Sequence, residues 1–139
     1  MNSLISISNA NKITNPNGDI FKLLSTKDTG FNGFGEAYIS LIDYGAVKAW
    51  KRHNKMTMNL LVPFGNVAFV FMDLKRNFET LIIGDSNFKR LTVPPGIWFG
   101  FKGISNQQNV VINIANFVHD DFEVDRAKVN EFDYDWDKL

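Results

Sequence analysis

The sequence predicts an all-β fold, a two-sheet jelly roll, and three observations carry that expectation. Turn-forming clusters recur roughly every eight to twelve residues. Short runs of β-branched and aromatic residues fill the intervals. No long segment carries the helical apolar period of about 3.6 residues. Residues 1–35 alternate short apolar pairs with Asn15-Pro16-Asn17-Gly18 and Gly30-Phe31-Asn32-Gly33-Phe34-Gly35, which gives an N-terminal arm or short strands. Residues 36–42 read as a strand closed by Asp43-Tyr44-Gly45, and residues 46–53 supply its expected hairpin partner. Residues 58–63 follow, then the turn Phe64-Gly65-Asn66, then residues 67–72, which are apolar on both faces and suit a central strand. Residues 79–83, 90–93, 97–101 and 110–115 complete the set. Any helix belongs to the acidic tail from His119 onward, where Phe122 and Val124 are expected to pack down. Tyr134 and Trp136 would close the barrel or meet a neighbouring subunit.

Length and composition narrow the function classes. A chain of 139 residues suits one domain, divided here into an arm (1–35), a barrel (36–118) and an acidic C-terminal cap (119–139). Fifteen Lys and Arg balance fifteen Asp and Glu, so no global field draws the protein to nucleic acid or to an anionic membrane. The absence of cysteine excludes disulfides and thiol chemistry. The residues after Met1 carry neither a basic segment nor a long apolar run, which makes the cytoplasm the expected location.

Strand alternation places Val47, Ala49, Lys51 and His53 on one face and Lys48, Trp50 and Arg52 on the other. Lys51 then points inward beside His53, Met58, Phe99 and Phe101, and two uses are open to it. Desolvation would turn its amine into a base; alternatively its ammonium meets an acceptor or solvent at the barrel mouth. His53 without a second imidazole or carboxylate nearby in sequence is a poor metal site, so neither a metal nor another cofactor is expected. As a hydrogen-bonding or acid–base group it is better suited. Glycine-rich phosphate loops, nucleophile elbows and His-Glu-x-x-His helices are all missing.

The spacing Gly45, Lys51, His53, Met58, Gly65 resembles the first motif of the cupin superfamily, in which the middle three positions are usually His, His and Glu bound to a metal. Pro94-Pro95-Gly96-Ile97-Trp98-Phe99 resembles the second motif, with Phe99 at its last metal-binding His. Gly45 to Trp50, Asn59 to Val67, Asp73-Leu74-Lys75, Val93 to Phe101 and Tyr134-Asp135-Trp136 together resemble the dTDP-4-dehydrorhamnose 3,5-epimerase family, the RmlC-like cupins. The resemblance spans roughly residues 36–136 and implies a metal-independent jelly roll of sugar-nucleotide metabolism that pairs as a homodimer.

Epimerisation beside a ketone needs a base, an acid and donors that steady an enolate oxygen. By the resemblance, the family's base His falls on Lys51, an acid Tyr near Asn113, a pocket His on Phe99 and a Lys on Met58. The carboxylate that orients the base falls on Val129, with Asp133 and Asp135 close by. An Arg that helps hold the diphosphate falls near Lys48, and Arg52 would assist it. The expected catalytic residues are therefore Lys51 and His53, and the expected substrate contacts are Lys48, Arg52, Met58, Phe99 and Asn113. Two functions follow. One is a sugar-nucleotide epimerase or isomerase that takes a dTDP-4-keto-6-deoxyhexose in cell-surface polysaccharide biosynthesis. The other is a catalytically inactive cupin that binds a sugar nucleotide or a partner protein.

Overall fold

The computed structural model describes residues 4–139, and among them the chain forms twelve strands and two 3₁₀ turns. The strands are β1 (Ser6–Asn9), β2 (Asn11–Ile13), β3 (Ile20–Lys22), β4 (Glu36–Ile42), β5 (Val47–His53) and β6 (Met58–Phe64). They continue as β7 (Asn66–Met72), β8 (Phe78–Gly84), β9 (Lys89–Val93), β10 (Trp98–Gly103), β11 (Asn109–Ala115) and β12 (Val124–Arg126). Two five-stranded antiparallel sheets result, in the orders β1-β9-β6-β11-β4 and β12-β5-β10-β7-β8, with β2 and β3 as a separate hairpin. The jelly roll expected from the sequence is present.

The expected pairing of residues 36–42 with the next strand is not. β4 lies at the edge of the first sheet against β11, whereas β5 lies in the second sheet between β12 and β10. The chain crosses from one sheet to the other at Asp43 to Ala46, a turn held by a hydrogen bond from Ala46 N–H to Asp43 O at 3.1 Å. Gly45 takes φ of 74° there, a left-handed conformation that a residue without Cβ adopts without strain.

Apolar side chains from the two facing sheets meet in one core, in which Met58, Leu60, Val62, Phe69, Phe71, Val93, Phe99 and Val111 are buried. A second cluster lies on the outer face of the second sheet. Trp50, Val70 and Met72 are covered there by Phe132 and Trp136 from the tail, with Phe78 and Tyr134 packed against them. The Trp50 indole packs 5.2 Å from that of Trp136 and 5.4 Å from the ring of Phe132. Its Nε1 donates to Val129 O at 3.1 Å. Tyr134 and Trp136 thus close the outside of one sheet. Val124 packs down as expected, but Phe122 is 98% exposed, because Asp120 caps the 3₁₀ turn Asp121–Glu123 and that turn holds Glu123 inward instead.

Register explains a second departure from the sequence reading. Lys51 pairs with Phe99 and Ala49 with Gly100, so β5 carries an extra residue at Trp50, a β-bulge. Alternation restarts on the far side of it. Lys48, opposite Phe101, turns inward with Lys51 and His53, while Val47, Ala49 and Trp50 face the outer cluster. Gly100 lies under this crowded point, where an added Cβ would meet Ala49 Cβ at 2.5 Å and the Trp136 ring at 3.0 Å. Gly100→Ala is therefore expected to cost about 1–3 kcal/mol in urea unfolding. An unchanged midpoint would mean that Trp136 does not cover this strand.

Candidate functional site

The bulged strand opens the barrel on one side. A cavity of about 490 Å³ lies between β4, β6 and β11 of one sheet and β5, β10 and β12 of the other. Its floor is apolar, formed by Met58, Leu60, Phe99, Phe101 and Val111. Its polar groups are His53, Tyr38, Asn113, Ser40, Lys48, Lys51 and Arg126.

His53 ends β5 and is 7% exposed, with its ring stacked on Phe99 at a centroid distance of 6.0 Å. Its Nδ1 lies 2.5 Å from Oε1 of Glu123, which is 2% exposed. The other carboxylate oxygen of Glu123 accepts from the backbone N–H groups of Asn54, Lys55 and Met56 at 3.1, 3.0 and 3.3 Å. Burial alone pushes the Glu123 carboxyl up, but these hydrogen bonds and the neighbouring imidazole outweigh it and hold the group below the usual carboxylate range. An ionised carboxylate only accepts hydrogen bonds, so Nδ1 carries a proton, and in the neutral ring Nε2 is the nitrogen with the free lone pair.

The imidazole–carboxylate pair is therefore His53 with Glu123. The resemblance had set the base position on Lys51 and its carboxylate on Val129. Val129 offers its backbone carbonyl to Trp50 on the outer face, and no carboxylate lies in ion-pair distance of Lys51 among the described residues. Glu123 reaches His53 because β12 pairs with β5 in the register Val124 with His53 and Arg126 with Lys51.

A phenol completes the polar set. Tyr38 on β4 is the cross-strand partner of Asn113 on β11, and its Oη accepts from Asn113 Nδ2 at 2.9 Å. Partial burial pushes the phenol up from the ordinary tyrosine range, an effect that the Asn113 hydrogen bond offsets in part and the charges of Glu36 and Glu123 reinforce. The resemblance set the family's tyrosine on Asn113, and a phenol stands opposite that residue one strand over. Sequence reasoning missed it, although the shared parity of Tyr38, Ser40 and Ile42 was a usable signal.

Cations line the mouth. Lys51 and Arg126 are directly opposed across the β5–β12 pair, an unfavourable arrangement for like charges. Partial burial, Arg126 and Lys48 all hold the Lys51 ammonium below the ordinary lysine range. Lys48 donates to Leu41 O at 2.6 Å and to Ser40 Oγ at 3.0 Å, which fixes its head within the cavity wall. Arg52 does not join them. It stands on the outer face, 2.8 Å from Asp125 and 4.9 Å over the Trp98 ring. Met58, Phe99 and Asn113 all line the cavity. Among the described residues no three His, Cys, Asp or Glu side chains come together.

This is the RmlC-like cupin fold, with an oriented imidazole and a phenol facing one cavity. Its structural neighbours are dTDP-sugar epimerases and isomerases. A dTDP sugar isomerase from Desulfovibrio desulfuricans G20 superposes with a TM-score of 0.92 at 28% identity, covering 97% of this chain and 92% of the other. The dTDP-4-dehydrorhamnose 3,5-epimerase of Bacillus anthracis, solved with TDP and PPi bound, superposes with a TM-score of 0.81 at 16% identity, covering 95% of this chain and 84% of the other. By sequence, the probable low-salt glycan biosynthesis epimerase Agl13 of Haloferax volcanii is 26% identical over 100 residues, 67% of this chain. The match spans 64% of that relative's length. No protein-family model matches the chain.

The Glu123 charge has a testable sign. Its folded carboxyl titrates below its unfolded one, so its stabilisation is complete above the unfolded value of about 4.3 and is lost as pH falls through the lower folded value. Glu123→Gln should cost about 1–3 kcal/mol near neutral pH, with the difference in Tm shrinking under acid. A difference that does not depend on pH would show that the charge contributes nothing.

Proposed function

We propose that this protein is a sugar-nucleotide epimerase or ketoisomerase that acts on a dTDP-4-keto-6-deoxyhexose, with His53 as its base. The observation that carries this is the buried His53–Glu123 pair opening on a cavity that also holds the Tyr38 phenol. In the reaction, Nε2 of His53 takes the proton from a carbon beside the ketone, and the imidazolium that forms is stabilised by the Glu123 carboxylate. The electron pair left behind moves onto the ketone oxygen as an enolate. A proton from Tyr38 to the opposite face of that carbon gives epimerisation. If instead the hydroxyl on the deprotonated carbon gives up its proton while the former carbonyl carbon takes one, the carbonyl moves to its neighbour and the product is a ketoisomer.

Lys48, Lys51 and Arg126 are the groups that meet the diphosphate in this reading. Three cations at one mouth, two of them opposed on adjacent strands, are relieved by an anion of two negative charges. Arg52, committed to Asp125 outside, has no part in it. The dTDP-sugar isomerase neighbour supports the substrate class, and the Agl13 relative supports a place in glycan biosynthesis. An inactive binding protein is disfavoured because its premise was a lost imidazole–carboxylate pair. No helix of the described chain is long and apolar enough to cross a membrane. Separately, we propose the cytoplasm as the location, because a doubly charged sugar nucleotide does not cross a bilayer unaided. We also propose a homodimer, since the outward side chains Ile39 and Leu41 of edge strand β4 are 63% and 46% exposed.

Proton NMR of dTDP-4-keto-6-deoxyglucose in heavy water tests the chemistry. Exchange beside the ketone should fall roughly 10²–10⁴-fold in His53→Asn. Tyr38→Phe should lose product while keeping exchange, because solvent deuterons still return through His53. Lys51→Ala should chiefly raise KM. Exchange that survives in His53→Asn but vanishes in Lys51→Ala would assign the base to Lys51 instead.

A further inference from the structure

Asn113 holds a resource that the proton transfers do not use. It is 3% exposed and lines the cavity, yet its Oδ1 has no hydrogen-bond partner among the described residues. The amide orientation is fixed by its surroundings. Nδ2 donates to Tyr38 Oη at 2.9 Å and lies 4.0 Å from Met56 Sδ, so both acceptors face the NH₂ group. A flipped amide could accept from the Tyr38 O–H, but its oxygen would then face a thioether with no proton to give, and two amide donors would be left without partners in place of one acceptor. The carbonyl oxygen is thereby left as a buried acceptor on the wall of the cavity, an arrangement that is costly unless a ligand donor satisfies it.

We propose that Asn113 Oδ1 receives a hydroxyl proton of the sugar ring and makes the site selective for a hexose that keeps that hydroxyl. The proposal rests on the sugar-nucleotide reading above and deepens it from a phosphate-anchored ligand to a hydroxyl-checked one. The sugar must supply the donor, since the surrounding wall of Met58, Leu60, Phe99 and Val111 has none to give Oδ1. A deoxy analogue leaves Oδ1 buried and unpaired, a penalty that an apolar pocket alone would not impose. The contact to Tyr38 has a second effect. It holds the phenol and the hydroxyl contact in one fixed relation, so that the ring is checked where the proton is delivered.

Equilibrium binding separates this from the function itself. Calorimetry would compare dTDP, dTDP-glucose and its 2-deoxy and 3-deoxy counterparts on the wild-type protein and on Asn113→Leu, which keeps the size of the side chain and removes the acceptor. One deoxy sugar should bind the wild type roughly ten- to a hundredfold more weakly than dTDP-glucose. In Asn113→Leu that gap should close while dTDP itself binds as before. A gap that persists in the variant overturns the role of Oδ1 and leaves the sugar-nucleotide reading intact. Wild-type protein that binds all three sugars equally overturns it as well, whether or not the variant folds. Failure of the wild type to bind even dTDP overturns both.

Discussion

One buried carboxylate ties the working parts of this molecule together. Glu123 spends one oxygen on the imidazole of His53 and the other on three successive backbone N–H groups of the turn that follows β5. A carboxylate removed from water is costly unless nearly every lone pair is used, and here four donors supply the compensation. The same contacts fix the turn, fix the tail and fix the imidazole tautomer. A weaker acceptor at this point would loosen three elements at once.

Around that anchor, the bulge at Trp50 decides which charges face the cavity. In a regular β5, Lys48 would look outward with Arg52. The extra residue turns it inward beside Lys51, and the register of β12 adds Arg126 to the pair. The cost of opposed cations is accepted at the mouth, where solvent reaches them, and not in the apolar floor. Outside the sheet, the same bulge pushes Trp50 into the aromatic cluster under the tail. The lining of the cavity and the packing of the outer layer are two faces of one backbone irregularity.

Much of the fold was legible in the sequence because its signals are local. Turn residues such as Asp43-Tyr44-Gly45 and Phe64-Gly65-Asn66 and the β-branched runs between them mark strand ends without knowledge of tertiary structure. Pairing is not local, so residues 36–42 were matched to the next strand when their partner is β11. The site was legible in its inward residues His53, Lys51, Met58, Phe99 and Asn113, and illegible where a backbone irregularity or a distant strand intervenes. Lys48 was misplaced because a bulge leaves no mark in side-chain type. Glu123 was overlooked within Asp120-Asp121-Phe122-Glu123-Val124-Asp125, which reads as a solvated acidic run. Nothing in residue type or alternation sets it apart there: Glu123 ends the 3₁₀ turn, off the phase on which Val124 and Arg126 face His53 and Lys51.

The 70-residue separation between His53 and Glu123 also orders events in time. Synthesis delivers the strand that carries the imidazole long before the turn that orients it. A nascent chain can pair most of its two sheets and still hold an imidazole of undefined tautomer. A chain that has emerged only as far as β11 contains His53 and most of the residues that wall the cavity, but not the carboxylate that orients the imidazole.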